Sequence, residues 1–351
     1  MLAEYLKQAA ALELALEGKS SLVSSPVEIT SAAIDCAKQL LLWGQAAQVL
    51  RIVERLETIG LDAAPAQRLQ VKVLQLRALS ILRRDYECLS IARQELEQSG
   101  RQELPFDEDV VMIRIMEGQA LWHVNHVQES VTLLTQLRAE LLGRPNGVTT
   151  AACSASIASA LVFSGSWTEG RQYALEAWVM AKRAGSKFYE GLSQQLLCMA
   201  ERSLCHWDNS IEAGEASVKA YEAIDATLQA AFVQRSLAVA HWKRGDLERS
   251  RATIESTLPL LIELKHDRHV RYARLLQGLI ALQRGQVSES AGLLAELSGS
   301  HGPISESRPE LLRLEYLGDV ELEQGNFEAA LKRYDEVLPH ALALIPRGDV
   351  V

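Results

Sequence analysis

The chain has 351 residues, of which 48% are hydrophobic, 23% charged and 5% aromatic, with a formal net charge of −9. A surplus of carboxylates argues against nucleic-acid binding by this segment, because phosphate neutralisation needs a basic face. No apolar run approaches the roughly 20 residues of a membrane span. The start Met1-Leu2-Ala3-Glu4-Tyr5-Leu6-Lys7 also lacks the entry and apolar stretch of a signal peptide, so a cytoplasmic location away from any membrane is expected.

In chain order, residues 1–25 predict an N-terminal capping helix, Leu- and Ala-rich, ended by Gly18-Lys19-Ser20-Ser21. Residues 26–345 then predict a run of helical pairs. The first runs from Glu28 to Ile59, the second from Gln67 to Gln98 and the third from Asp107 to Leu142. Units four to seven run from Val148 to Leu297, with breaks near Gly185, at Ala223 to Ala226 and at Lys265 to Asp267. After the loop Ser298-Gly299-Ser300-His301-Gly302-Pro303 the eighth unit runs from Glu306 to Leu344. Residues 346–351 read as a tail or as the start of a further repeat. Asp349 after Pro346-Arg347-Gly348 suits a helix N-cap, so the native chain is expected to continue past Val351.

The regularity is testable by counting. Gly325, Gly285, Gly245, Cys205, Gly165, Asn125 and Asp85 stand 40 residues apart, and Gly44 follows after 41. Gly, Asn and Asp tolerate the left-handed backbone that a short helix–helix turn needs. Cys205 is the exception, and a turn shifted toward His206-Trp207-Asp208-Asn209 is expected there. Seven residues before the markers stand Ala37, Ala78, Gly118, Ala158, Cys198, Ala238, Gly278 and Gly318. Five residues after them stand Val49, Ser90, Ser130, Gly170, Ser210, Ser250, Ser290 and Ala330. Small residues in both columns let paired helices approach closely. A fixed period of this size marks a repeat architecture. The fold class expected is all-α: a right-handed α-solenoid of about eight helix-turn-helix repeats with a period near 40 residues.

Leu317-Gly318-Asp319 with Gly325-Asn326-Phe327-Glu328-Ala329-Ala330, and Gly165-Ser166-Trp167, resemble the core of a tetratricopeptide (TPR) repeat. Long TPR-like units of this kind are similar to the helical sensor regions of bacterial LuxR/MalT-type and sigma-54-dependent regulators. The resemblance implies a scaffold or sensor whose first helices line a concave groove. Its inward positions lie thirteen, ten, six, three and two residues before each marker. The candidate partner-binding residues are Gln119, Trp122, His123, Phe163, Arg202, Phe232, Arg235, Trp242, Lys243 and Tyr272, with Glu315, Asp319 and Glu323 in the last unit.

Large rigid aromatics and Arg are the usual anchors of a binding surface. A ligand with apolar side chains and a carboxylate would fit, because Arg makes bidentate, charge-assisted bonds. The partner expected is a protein or peptide, or a further domain of the same chain. A small-molecule sensor and a free-standing adaptor are the alternatives.

Enzymatic chemistry has no legible footing. No phosphate-binding loop, nucleophile elbow or zinc-protease motif occurs. His266 and His269 have the spacing of half a metal site, yet are read as a solvated helix start. The scattered, odd set Cys36, Cys88, Cys153, Cys198 and Cys205 suits free thiols. No cofactor and no metal are expected.

Overall fold

The computed structural model describes residues 2–16, 26–58, 65–101, 107–143, 147–297 and 308–343. All regular structure among them is α-helical. Helix α1 (Leu2–Leu16) is followed by eight hairpins. These are α2 (Pro26–Leu42) with α3 (Ala46–Thr58), α4 (Pro65–Ile81) with α5 (Asp85–Arg101), α6 (Glu108–His123) with α7 (Val127–Leu141), and α8 (Gly147–Ser164) with α9 (Trp167–Arg183). Then come α10 (Lys187–Ser203) with α11 (Trp207–Glu222), α12 (Thr227–Arg244) with α13 (Leu247–Glu263), α14 (Asp267–Gln283) with α15 (Val287–Ala295), and α16 (Arg308–Glu323) with α17 (Phe327–Ala343). The expected tail at 346–351, the loop at 298–303 and the breaker at 18–21 lie outside the described residues.

Each hairpin turn is made the same way. One residue adopts a left-handed backbone: Gly44, Arg83, Asn125, Gly165, Cys205, Gly245, Gly285 and Gly325, with φ between 60° and 93°. The residue after it donates its N–H to the carbonyl five back, as in Gln45 to Leu40 and Asn326 to Glu321, at 2.8–2.9 Å in all eight. The left-handed residue itself donates to the carbonyl three back. These paired bonds satisfy the carbonyls that a helix end leaves open.

Two expectations are corrected here. The turn at Cys205 is not shifted: Cys205 itself carries φ 60°. In the second unit the left-handed residue is Arg83, and Asp85 begins α5. The columns of that unit are therefore Leu76 and Cys88, not Ala78 and Ser90. A non-glycine residue in this conformation costs about 1–2 kcal/mol, which the turn's hydrogen bonds and the packed helices on either side offset.

With that register every residue of both columns is buried. In three units the second-column serine also ties the two helices together. Ser130 Oγ donates to the Gly118 carbonyl (2.6 Å), Ser210 to Cys198 (2.8 Å) and Ser250 to Ala238 (2.7 Å). The Cys88 thiol makes the same contact with Leu76 at 3.6 Å. Each bond reuses a helix carbonyl, so a buried hydroxyl is satisfied with no outside partner.

By packing, the chain divides into two compact units. One is Met1–Ala160 with Glu176–Glu190 and Tyr221–Leu228; the other is Leu161–Leu175 with Gly191–Ala220 and Gln229–Val351. In the first, α1 packs on α2 and α3. Helix α8 corrects the estimate of apolar run length: its 18 residues are long and apolar enough to cross a membrane. Its apolar stretch is 72% buried inside the protein, as a core helix would be.

The crossings have no spare volume. A Cβ on Gly118 would meet Leu134 Cγ at 2.5 Å, whereas one on the exposed Gly292 in α15 meets nothing within 4 Å. Gly118→Val is expected to destabilise by about 2–3 kcal/mol through overpacking. Gly292→Ala is expected to stabilise by up to about 1 kcal/mol through helix propensity. The urea midpoints of the two variants should move in opposite directions.

Candidate binding groove

In the second unit the first helices of successive hairpins lie side by side. Ala231 and Ala238 of α12 share a core with Ala273, Leu276 and Ile280 of α14. Leu275 of α14 shares one with Val320 of α16, with Leu312 and Tyr316 packed against it. Residues at matching positions on these helices therefore form rows.

The most developed row joins α12 to the start of α14. The Phe232 ring stacks on His269 at 3.7 Å between centroids and 10° between planes. His266 meets both rings edge-on, at 4.8 Å from Phe232 and 4.7 Å from His269. Tyr272 extends the cluster from His269 at 6.4 Å. Two guanidinium groups cover the Tyr272 ring, Arg235 at 5.2 Å and Arg268 at 5.9 Å. Such cation–π contacts are worth about 0.5–2 kcal/mol according to how dry the site is.

Arg202 lies on the neighbouring α10, its Nη1 buried without a hydrogen-bond partner. Trp242 and Lys243 close α12, with the Lys243 ammonium 4.6 Å from the Trp242 ring. Trp242 Nε1 is likewise buried without a partner.

Of the sequence candidates, the structure thus brings together Phe232, Arg235 and Tyr272, and sets Trp242 and Lys243 on the same helix. Phe163 is half-buried near the end of α8. The remaining three belong to the first unit and make contacts there. Gln119 donates to Ser156 Oγ (2.8 Å), His123 Nδ1 meets Asp85 (2.7 Å), and Trp122 packs edge-on against His123 (4.0 Å). His266 and His269 were read as a solvated helix start; they are instead half-buried members of the aromatic cluster. Among the described residues no group of three His, Cys, Asp or Glu is arranged to hold a metal.

Burial pushes both imidazoles below their ordinary range, His269 furthest. The Arg235 and Arg268 charges and the His266 ring reinforce the effect on His269. At His266 the opposing influences are its own backbone hydrogen bond and Asp267. Further along the row, Glu315 on α16 is raised by burial and by Asp319, with Lys243 acting against the shift. Asp319 accepts a hydrogen bond from Tyr334 Oη at 2.7 Å.

Away from this row, a cavity of about 510 Å³ opens at the α13–α14 turn and the end of α15. The Arg271 lining it is already held by the Leu297 carbonyl and Glu310, each at 3.2 Å.

No family model matches the chain, and no curated protein matches it. Solved structures do. A Rap protein complexed with competence and sporulation factor aligns with a TM-score of 0.61 at 10% identity, over 89% of this chain and 88% of that one. NprR in complex with its cognate peptide NprX aligns at 0.60 and 15% identity over 80% of each chain. A signal-transduction ATPase with numerous domains and a tetratricopeptide repeat sensor, from Pyrococcus horikoshii, aligns at 0.54 and 13% identity. That alignment covers 93% of this chain and 55% of the ATPase, so this chain spans about half its length. Likeness at these identities is a likeness of fold: the chain is a TPR-like helical repeat protein.

The depressed imidazoles tie stability to pH. Unfolded, each titrates near 6.5; folded, each titrates lower. The native state then binds fewer protons, so stability is full well above pH 6.5 and falls as pH drops through 6.5 toward the native values. The slope is at most about 1.4 kcal/mol per pH unit for each histidine. Urea midpoints measured from pH 7.5 to 5.5 should fall for the unmodified protein and fall less steeply for His269→Gln.

Proposed function

We propose that this protein is a non-catalytic binding scaffold that takes a peptide or an extended protein segment along the row of first helices in its second unit. In this reading it is the sensor or regulatory segment of a larger bacterial regulator, with α1 as the cap of the repeat array. The observation that carries it is the Phe232–His269–Tyr272 cluster with Arg235 over Tyr272, together with Arg202 on α10 and Trp242 and Lys243 at the end of α12. Stacked aromatics beside guanidinium groups suit apolar side chains and carboxylates together. The Rap and NprR structures of the same fold each hold a signalling factor or peptide by name, which supports the same use of the surface here. Gln119, Trp122 and His123 serve inter-hairpin packing in this reading.

The test uses a synthetic pool of random hexapeptides passed over the immobilised full chain. Arg235→Glu with Lys243→Glu should retain less than a tenth of what the unmodified protein retains, at unchanged helicity by circular dichroism. Equal retention by the double variant would sink the groove assignment.

A further inference from the structure

Three cations of this row stand together on α10, α12 and the first turn of α14: Arg202, Arg235 and Arg268. A fourth, Lys243 at the end of α12, acts on Glu315 of α16. The carboxylates stand on α16, where Glu315 and Asp319 are one helical turn apart and share a face.

Elsewhere in the same unit arginines meet carboxylates of the protein. Arg171 pairs with Glu201 (3.5 Å), Arg244 with Asp208 (2.9 Å) and Arg271 with Glu310 (3.2 Å). Arg202 and Arg268 have no such ion pair among the described residues, and Arg202 Nη1 is buried with no acceptor. A buried, unmatched guanidinium N–H carries an unmet desolvation cost. A ligand carboxylate would remove it.

The acidic end shows the converse. Glu315 is held above the usual carboxylate range by burial and by the charge of Asp319. Lys243 offsets this only in part, so a cation arriving from a ligand would relieve the pair further. Between the two ends lie Phe232, His269 and Tyr272, with the His269 Nδ1 buried and without a hydrogen-bond partner.

We propose that the groove is electrically polarised and accepts peptides in one direction only. An anionic end lies beside Arg202, Arg235 and Arg268, an apolar middle lies on Phe232 and Tyr272, and a cationic end lies against Glu315 and Asp319. This rests on the peptide-binding reading above and deepens it. The span agrees with a short peptide. From α12 across α14 to α16 are two inter-helix steps of about 8–10 Å each, or about five or six residues of extended chain at about 3.3 Å per residue.

The hexapeptide pool again supplies the probe, made once with free and once with amidated C-termini, and the retained peptides are sequenced. Acidic and basic residues should be enriched at opposite ends, with an aromatic or branched residue between them. A loss of the acidic-end preference in favour of the free terminus would assign the anion to the C-terminal carboxylate; equal enrichment in both forms would assign it to a side chain.

Glu315→Lys with Asp319→Lys should lower the basic-end enrichment at least tenfold and leave the aromatic preference intact. If that variant loses helicity, Glu315→Gln with Asp319→Asn makes the same comparison with isosteric, uncharged groups. Retained peptides without charge polarity, or with the same polarity before and after the α16 changes, would overturn the polarised groove while leaving peptide binding standing. Retention of no peptide by the unmodified protein would overturn both.

Discussion

The close crossing inside each hairpin is the constraint on which everything else depends. A residue seven before the left-handed turn and another five after it are buried against the opposing helix, small in every hairpin except at Leu76 and Val49, and in the third, fifth and sixth hairpins a serine hydroxyl bonds across the gap. The turn fixes where one helix ends and the next begins, and the crossing fixes how close they lie. With both set, the outer face of each pair has one geometry to offer its neighbour. A solenoid unit cannot bury its apolar face alone, so within each compact unit neighbouring hairpins share apolar clusters, as α12 does with α14 and α14 with α16.

The same logic produces rows of side chains. Parallel first helices at a constant spacing bring neighbouring faces together: Phe232 of α12 stacks on His269 of α14, three residues before the matching position Tyr272. No single helix contains a site. The aromatic cluster, the guanidinium groups above Tyr272 and the carboxylates of α16 come from successive repeats, and each repeat can change its own contribution without disturbing the crossing beneath it. That separation is a physical reason for a repeat fold to host recognition.

Much of the fold was legible in the sequence because the turn chemistry is written in residue type. Gly44, Asn125, Gly165, Gly245, Gly285 and Gly325 all mark their turns and all have positive φ. The failures share one cause. Arg83 and Cys205 also adopt left-handed backbones, and their residue types give no sign of it. The acidic Asp85, two residues on, competed for the marker position, and its true partners are His123 (2.7 Å) and Arg83 (3.3 Å). Where packed helices impose the turn, local preference stops being a guide.

The candidate groove was legible only in part, for a related reason. Spacing from the turn marker put Phe232, Arg235 and Tyr272 on one face, since all three are first-helix positions. His266 and His269 precede that register: one caps α14 and the other lies in its first turn. Their burial is decided by the aromatic ring of the preceding repeat, which the local sequence does not contain. Once they are placed, the electrostatics of the row change. Two imidazoles held below their ordinary range sit among these aromatic rings and add no counter-charge at neutral pH, and Arg202 on α10 has its buried Nη1 unmatched. The carboxylates Glu315 and Asp319 belong to α16, on a different repeat from Arg202. An extended ligand with its own opposed charges would meet Arg202 and these carboxylates with no rearrangement of the helices.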